Sequence, residues 1–200
     1  VLVSGAAGGV GSNVGQIARN LGARAVGLAG SDEKCRLLTE KLGYAVAINY
    51  RTEPLDARLR DCCPDGIDVV FDNVGGEILD TALLHLRRHA RVVLCGAISQ
   101  YIDGVEHPRP LHNGLQIFKK MARMEAFFIY EMAADFERAE RQLAAWISAG
   151  RLTYQEDILD GIEQMPRALV RLYAGENVGK QLVRIAGPDR TPRAPLYSPP

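Results

Sequence analysis

The 200-residue sequence has no excess of charge of either sign, because 24 lysines and arginines stand against 24 aspartates and glutamates. A neutral chain has no electrostatic attraction for nucleic acid or for an anionic membrane surface, so we expect neither as a partner. No apolar run approaches the length that spans a bilayer, and no signal peptide is recognisable. With a hydrophobic content of 47%, these absences predict a globular protein with a packed core, located in the cytoplasm.

Cysteine is scarce, and its spacing matches neither a metal site nor a disulfide framework. No two of the cysteines have the spacing of zinc ligands, and two of them are adjacent, which is a poor geometry for a disulfide between them. His85 and His89 lie four residues apart, but no third ligand accompanies them. We therefore predict no metal site and four reduced thiols, namely Cys35, Cys62, Cys63 and Cys95.

Both ends of the sequence are distinctive. The first residue is Val1, and the residues after it are typical of a strand interior, so we expect the chain to be part of a longer protein. The other end, "GPDRTPRAPLYSPP", contains five prolines and little apolar content. We predict that this stretch, residues 187–200, is a disordered tail.

Short β-branched runs alternate with amphipathic stretches over the first 150 residues. This alternation is typical of a parallel sheet wound with helices on both faces, so we predict a doubly wound α/β fold. The predicted strands cover residues 1–4, 24–29, 45–48, 68–72, 91–95 and 126–130. The predicted helices cover residues 10–21, 32–42, 54–62, 77–89, 115–123 and 135–149.

The pattern changes after Gly150. A strand is predicted in "YQEDIL", a helix with proline in its first turn over residues 166–173, and a second strand in "KQLVRI". These pieces have no βαβ partner, and we expect them to belong to the sheet of another domain. The predicted organisation is a doubly wound domain over 1–150, a carboxy-terminal segment over 151–186, and the tail.

The stretch "SGAAGGVGS" joins the first predicted strand to the first helix. Ala6, Gly8 and Gly11 match a dinucleotide fingerprint of the form A-x-G-x-x-G, with Gly9 and Val10 between the last two positions. The turn must be tight, Gly8 lets the pyrophosphate approach the backbone, and Gly11 lets the helix pack closely on the strand. The free N–H groups of that helix would face the phosphates. The alternative is a tight turn that binds no ligand.

The end of the second predicted strand indicates which nucleotide binds. Enzymes that use NAD place an acidic residue there for the ribose hydroxyls, whereas this sequence has Gly30 and Ser31. Asp32 comes later and is typical of a helix N-cap, and Lys34 follows in the first turn. A missing carboxylate beside a cation favours a 2′-phosphate, hence NADPH/NADP. The alternative for Lys34 is an ordinary solvated lysine.

Several stretches resemble one family. The first fifty residues, together with "VVFDNVGG", "VVLCGAISQY" and "ENVGKQLV", resemble the zinc-independent medium-chain dehydrogenases/reductases. Within them they are most similar to the prostaglandin reductases and alkenal double-bond reductases. The resemblance covers about residues 1–186, and it implies that 1–150 is the NADP-binding Rossmann domain. The family's amino-terminal catalytic domain is missing from this sequence, so we expect weak NADPH binding and little turnover by this chain alone.

The resemblance also implies roles for individual residues. Lys34 and Tyr50 would hold the 2′-phosphate, Gly30 and Ser31 would make room for it, and Asn73 would lie near the nicotinamide-side ribose. The other residues that the resemblance places at the cofactor are Cys95, Gly96, Ala97, Ile98, Ser99, Phe127, Phe128, Ile129 and Asn177.

The implied reaction is hydride transfer from NADPH to the β-carbon of an α,β-unsaturated ketone or aldehyde. The enolate that forms needs a proton, and Tyr101, after the end of a strand, is our candidate donor. A cofactor ribose hydroxyl or a water molecule could donate instead, and Tyr101 could simply be a packed loop residue. The family also tends to form homodimers through edge strands, for which "EAFFIYEM" is the candidate here.

Three other functions are open at this stage. A quinone could replace the enone or enal as substrate. The chain could be an NADPH-binding module without catalysis. A methyltransferase would want an acidic residue after the second strand, and Gly30 and Ser31 do not provide it.

Overall fold

The computed structural model describes residues 1–101 and 109–185. The predicted tail, residues 187–200, lies outside these ranges. None of the described helices is both long and apolar enough to cross a membrane.

The centre of the molecule is a six-stranded parallel sheet with the strand order β3-β2-β1-β4-β5-β6. The doubly wound α/β fold predicted from the alternating pattern is therefore confirmed. The strands are β1 (Leu2–Val3), β2 (Val26–Ala29), β3 (Val46–Asn49), β4 (Ile67–Asp72), β5 (Leu86–Leu94) and β6 (Arg123–Ala126).

In the described ranges, six α-helices connect or follow these strands. They are α1 (Gly11–Asn20), α2 (Asp32–Glu40), α3 (Leu55–Cys62), α4 (Gly76–Leu84), α5 (Leu115–Lys119) and α6 (Phe136–Ser148). Ser31 caps α2, because its side-chain oxygen accepts a hydrogen bond from the Lys34 amide at 3.3 Å. The prediction of Asp32 as the N-cap was therefore wrong by one residue.

The sheet carries one apolar cluster on each face. The larger cluster includes Leu28, Ile48 and Leu83, and the smaller one includes Leu38 and Leu42, all of them fully buried. Burial of this kind supplies the main free energy that holds helices on a sheet. The two clusters fix the level at which the strands end, and thereby the edge at which a ligand can bind.

Several predicted elements have other bounds in the structure, and two of them differ most. The helix predicted over 77–89 ends at Leu84, because β5 starts at Leu86 and pairs with β4 through an irregular register in which His89 has a φ of 64°. The strand predicted over 126–130 lies earlier, at β6, because Arg123–Ala126 pair with Arg91–Leu94 of β5. A 3-10 helix over Ile129–Asp135 replaces the last two residues of that predicted strand and the second half of "EAFFIYEM".

The carboxy-terminal segment forms a βαβ unit of its own. Strand β7 (Glu156–Asp160) and strand β8 (Lys180–Arg184) pair in parallel, and helix α7 (Met165–Ala174) connects them. The expectation that these pieces have no βαβ partner was therefore wrong, since the two strands are each other's partners. The sequence could not show this, because a period-2 pattern does not say which strand is the neighbour.

Hydrogen bonds attach this unit to the first βα turn and to α1. The Gly179 amide donates to the Ala7 carbonyl at 2.7 Å. The buried Gln16 side chain donates to the Thr153 carbonyl at 2.7 Å and accepts from the Thr153 amide at 2.9 Å. The unit thus closes one side of the glycine turn.

We expect Gln16→Leu to destabilise the chain by about 1–3 kcal/mol, because it leaves the Thr153 amide and carbonyl without partners. Chemical denaturation measures this change in the free energy of unfolding. Glu40→Ala, on the exposed face of α2, is the matched control and should have no effect. Equal stability of Gln16→Leu and the wild type would show that this link contributes nothing.

Candidate functional site

A cleft of about 340 Å³ lies at the carboxyl ends of the central strands. This is the edge at which doubly wound sheets bind ligands. The predicted cofactor residues that line it are Gly8, Gly9, Val10, Gly11, Gly30, Lys34, Tyr50, Asn73, Ile98, Ser99 and Asn177.

The glycine turn forms the floor of the cleft. The Gly8 amide donates to the Gly5 carbonyl at 3.0 Å, which closes the turn. Gly11 touches that turn so closely that a Cβ would clash with the Gly5 carbonyl and lie 2.7 Å from the Ala6 Cα. Ala6 itself is fully buried below the turn and does not line the cleft.

The N-terminus of α1 opens into the cleft with unused donors. Within the described part of the chain, the amides of Val10 and Gly11 donate no hydrogen bond. The first turn of α1 contains no acidic residue, and no side chain caps it. Open amides and the positive end of the helix dipole suit an anion such as a diphosphate.

The end of β2 carries no carboxylate into the cleft. Gly30 lines it, whereas the Ser31 hydroxyl is used as the cap of α2. The Asp32 carboxylate accepts a hydrogen bond from the Asn49 side chain at 2.7 Å. Lys34 and Tyr50 reach the cleft beside Gly30. Burial, and then the nearby Arg51, lower the pKa of Lys34.

A buried network fixes Asn73 at the end of β4. The Asp72 carboxylate accepts from the Ser4 hydroxyl at 2.6 Å and from the Gly75 amide at 2.8 Å, and burial raises its pKa. The Asn73 side chain donates to the Ser4 carbonyl at 2.7 Å. Sequence reasoning missed Ser4 and Asp72, although a polar residue at the end of an apolar strand was a signal for both.

Residues after β5 divide into those that face the cleft and those that support it. Ile98 and Ser99 line the cleft, and the Ser99 hydroxyl donates to the Val74 carbonyl at 2.6 Å. The predicted residues in this stretch that do not line the cleft are Cys95, Gly96 and Ala97. Burial, and then the charge of Asp72, raise the pKa of the Cys95 thiol.

Tyr101 follows the lining residues Ile98 and Ser99 in the chain and is 54% exposed, but it does not line the cleft itself. Its phenol oxygen accepts a hydrogen bond from the Ala97 amide at 3.0 Å. Among the described residues nothing accepts the phenol's own proton. The hydrogen bond from the Ala97 amide orients the side chain.

The remaining predicted cofactor residues, Phe127, Phe128, Ile129 and Asn177, lie in different environments in the structure. Phe127 packs edge-on against Phe71, with the ring centroids 6.5 Å apart, whereas Phe128 and Ile129 are exposed, and none of the three lines the cleft. Asn177 lines it, but its amide donates to the Gly179 carbonyl at 2.7 Å.

Sequence reasoning missed part of the lining. Arg51 follows Tyr50 directly, and the end of α7 forms the wall opposite the glycine turn. The missed residues are Gly5, Ala7, Ala29, Arg51, Val74, Leu172, Tyr173, Ala174 and Gly175. Arg51 could have been predicted from the sequence, because it is a cation directly after Tyr50, which was predicted to bind the 2′-phosphate.

Within the described ranges, no group of three or more His, Cys, Asp and Glu residues could hold a metal ion. His85 instead pairs with Asp56 at 2.9 Å. The adjacent thiols of Cys62 and Cys63 lie 3.7 Å apart, share a hydrogen bond and form no disulfide.

A sheet of this strand order, with a glycine turn and an open helix N-terminus at its ligand-binding edge, defines a dinucleotide-binding domain. The chain belongs to the family described as zinc-binding dehydrogenases, whose model matches residues 9–146. The predicted resemblance to medium-chain enone reductases is confirmed by the relatives described next.

The chain is 42% identical over 187 residues to 2-alkenal reductase (NADP(+)-dependent) of Nicotiana tabacum, covering 93% of this chain and 54% of the relative. It is also 42% identical over 190 residues to prostaglandin reductase 1 of Bos taurus, covering 92% and 56%. The crystal structure of CurA from Vibrio vulnificus in complex with NADPH superposes with a TM-score of 0.87 at 33% identity, covering 94% and 57%. The chain thus spans little more than half the length of these relatives.

Proposed function

We propose that this chain binds NADPH and that the complete gene product uses it to reduce the C=C bond of α,β-unsaturated ketones and aldehydes. The observation that carries the proposal is the cleft itself, which is lined by open amides, by Lys34 and by Tyr50, and which no carboxylate from the end of β2 lines. An NADP-dependent alkenal reductase among the relatives supports the same reaction.

In this proposal the chain's residues bind and orient the cofactor. The open amides of Val10 and Gly11 receive the diphosphate, and Lys34 with Tyr50 receives the 2′-phosphate. Asn73, fixed by Ser4 and Asp72, is available to the ribose on the nicotinamide side. NADPH, when bound, supplies the hydride.

The reaction also requires a proton for the enolate, and we assign its donation to Tyr101. The Ala97 amide, which donates to the phenol oxygen, favours negative charge on that oxygen as the proton leaves. We also infer that the protein forms a homodimer and that it is located in the cytoplasm. Residues 1–150 and residues 151–186 are inferred to be separate functional parts. These inferences stay predictions.

Steady-state oxidation of NADPH by the complete gene product tests the reaction with a simple enone, an enal and a quinone in parallel. We expect the enone and the enal to be reduced at the C=C bond, which product analysis by mass spectrometry and NMR detects. Faster turnover of the quinone would favour a quinone reductase. Binding of NADPH without oxidation of any substrate would indicate a module without catalysis.

Tyr101→Phe in the complete gene product should lower turnover of the enone about 100-fold or more, the lower end of what a positioned proton donor contributes. NADPH affinity should not change, because Tyr101 does not line the cofactor cleft. Tyr154→Phe, a phenol that is 60% exposed, is the matched control. Unchanged turnover of Tyr101→Phe would assign the proton to a ribose hydroxyl or to water.

A further inference from the structure

A second cation, Arg51, shares the cleft with Lys34. Arg51 follows the end of β3 and lies in a short turn, in which the Thr52 and Glu53 amides donate to the Asn49 carbonyl at 3.1 and 2.9 Å. The Arg51 amide donates to the Asn49 side-chain oxygen at 3.2 Å. The backbone that carries the guanidinium is thus fixed from both sides by one buried asparagine.

The same asparagine ties this turn to the helix that carries Lys34. The Asn49 side-chain amide donates to the carboxylate of Asp32, the first residue of α2, at 2.7 Å. Lys34 lies two residues further on, in the first turn of α2. The two cations therefore stand on elements that are held together, which limits the reorganisation needed to bind one ligand.

Backbone carbonyls at the end of α7 hold both cations. The Lys34 ammonium donates to the Gly175 carbonyl at 2.5 Å, and the Arg51 guanidinium donates to the Ala174 carbonyl at 3.3 Å. The last carbonyls of a helix carry partial negative charge. These carbonyls thus accept hydrogen bonds from both cations. An anion with a full negative charge would bind the same cations more strongly than the carbonyls do.

Among the described residues neither cation forms an ion pair, and two nearby carboxylates are paired with other arginines. Glu53 pairs with Arg58 at 2.7 Å, and Asp157 pairs with Arg171 at 2.9 Å. Two cations without a carboxylate in one cleft leave a net positive charge. Their mutual repulsion is relieved by a ligand with two negative charges.

The shape of the subsite also favours a phosphate group. A Cβ at Gly30 would lie 3.0 Å from the Tyr50 hydroxyl and 3.1 Å from the Arg51 Nε, so these two groups converge over the bare glycine. A guanidinium, an ammonium and a phenol are three donors of the kind that bind phosphate oxygens.

We propose that Arg51 is a specificity-determining residue that, with Lys34, selects a phosphomonoester on the adenosine ribose, and that the end of α7 holds both cations until that phosphate binds. The inference rests on the proposed function and deepens it. It predicts that the choice of NADPH over NADH depends on Arg51 as well as on Lys34.

Equilibrium binding of NADPH and of NADH to the 200-residue chain tests the inference with Arg51→Gln, Arg51→Lys and the wild type. We expect Arg51→Gln to weaken NADPH binding about 10- to 100-fold, the effect of losing charge-assisted hydrogen bonds, and to leave NADH binding unchanged. Arg51→Lys should recover part of the loss, because the charge returns without the two-pronged geometry.

Arg36→Gln is the matched control, since Arg36 lies exposed on α2 and does not line the cleft. If the wild type prefers NADPH and Arg51→Gln shows the same ratio of NADPH to NADH affinity, the inference is overturned and the proposed function stays intact. A wild type that binds NADH as tightly as NADPH, or binds neither, would overturn both.

Discussion

Replacement of Lys34 by alanine is expected to weaken NADPH binding about 10- to 100-fold, the equivalent of ~1.5–3 kcal/mol for a charge-assisted contact. The ammonium lies in the cleft beside Gly30, and its one hydrogen bond to a described residue is to the Gly175 carbonyl. NADH lacks the 2′-phosphate, so its affinity should stay the same. Isothermal titration of the wild type and the variant with each nucleotide measures both values.

Lys41→Ala is the control for this experiment, because Lys41 is an exposed lysine that ends the same helix and does not line the cleft. It should bind both nucleotides as the wild type does. A wild type that prefers NADH would contradict the assignment of NADPH. Equal losses for NADPH and NADH in Lys34→Ala would instead indicate that the variant disturbs the cleft as a whole.

Gly11→Ala is expected to have the second large effect, on both stability and binding. The added methyl group would meet the Gly5 carbonyl and the Ala6 Cα, which are backbone atoms that cannot move aside as a side chain can. Overpacking of this kind costs about 1–3 kcal/mol. Relief of the clash would shift the turn and its open amides, so NADPH affinity should fall together with the free energy of unfolding.

Gly114→Ala provides a comparison at the start of another helix. Gly114 has a φ of −54°, which alanine adopts freely, and the nearest atom to its Cβ position is 3.5 Å away. Its stability and NADPH affinity should match those of the wild type. Denaturation curves and nucleotide titrations of the two variants decide the matter, and a Gly11→Ala protein of wild-type stability would show that the turn tolerates a side chain.

Local patterns were enough to predict the main architecture. The spacing of apolar runs predicted the alternation of strands and helices, and "SGAAGGVGS" predicted the turn between β1 and α1. Gly30 and Lys34 lie beside the cleft as expected, because residues after a parallel strand always reach the same edge of the sheet. These features depend on residues that are close together in the sequence, so they can be predicted from the sequence alone.

Contacts between distant residues were decided only by the tertiary structure. The pairing of β7 with β8, the hydrogen bonds between Gln16 and Thr153, and the carbonyls of α7 on Lys34 and Arg51 join segments far apart in the chain. The sequence alone determined the parallel sheet and its glycine turn, because both follow from the periodicity and conformational freedom of adjacent residues. Which helix end closes the cleft was set by packing of the whole chain, since it depends on distances that no local pattern encodes.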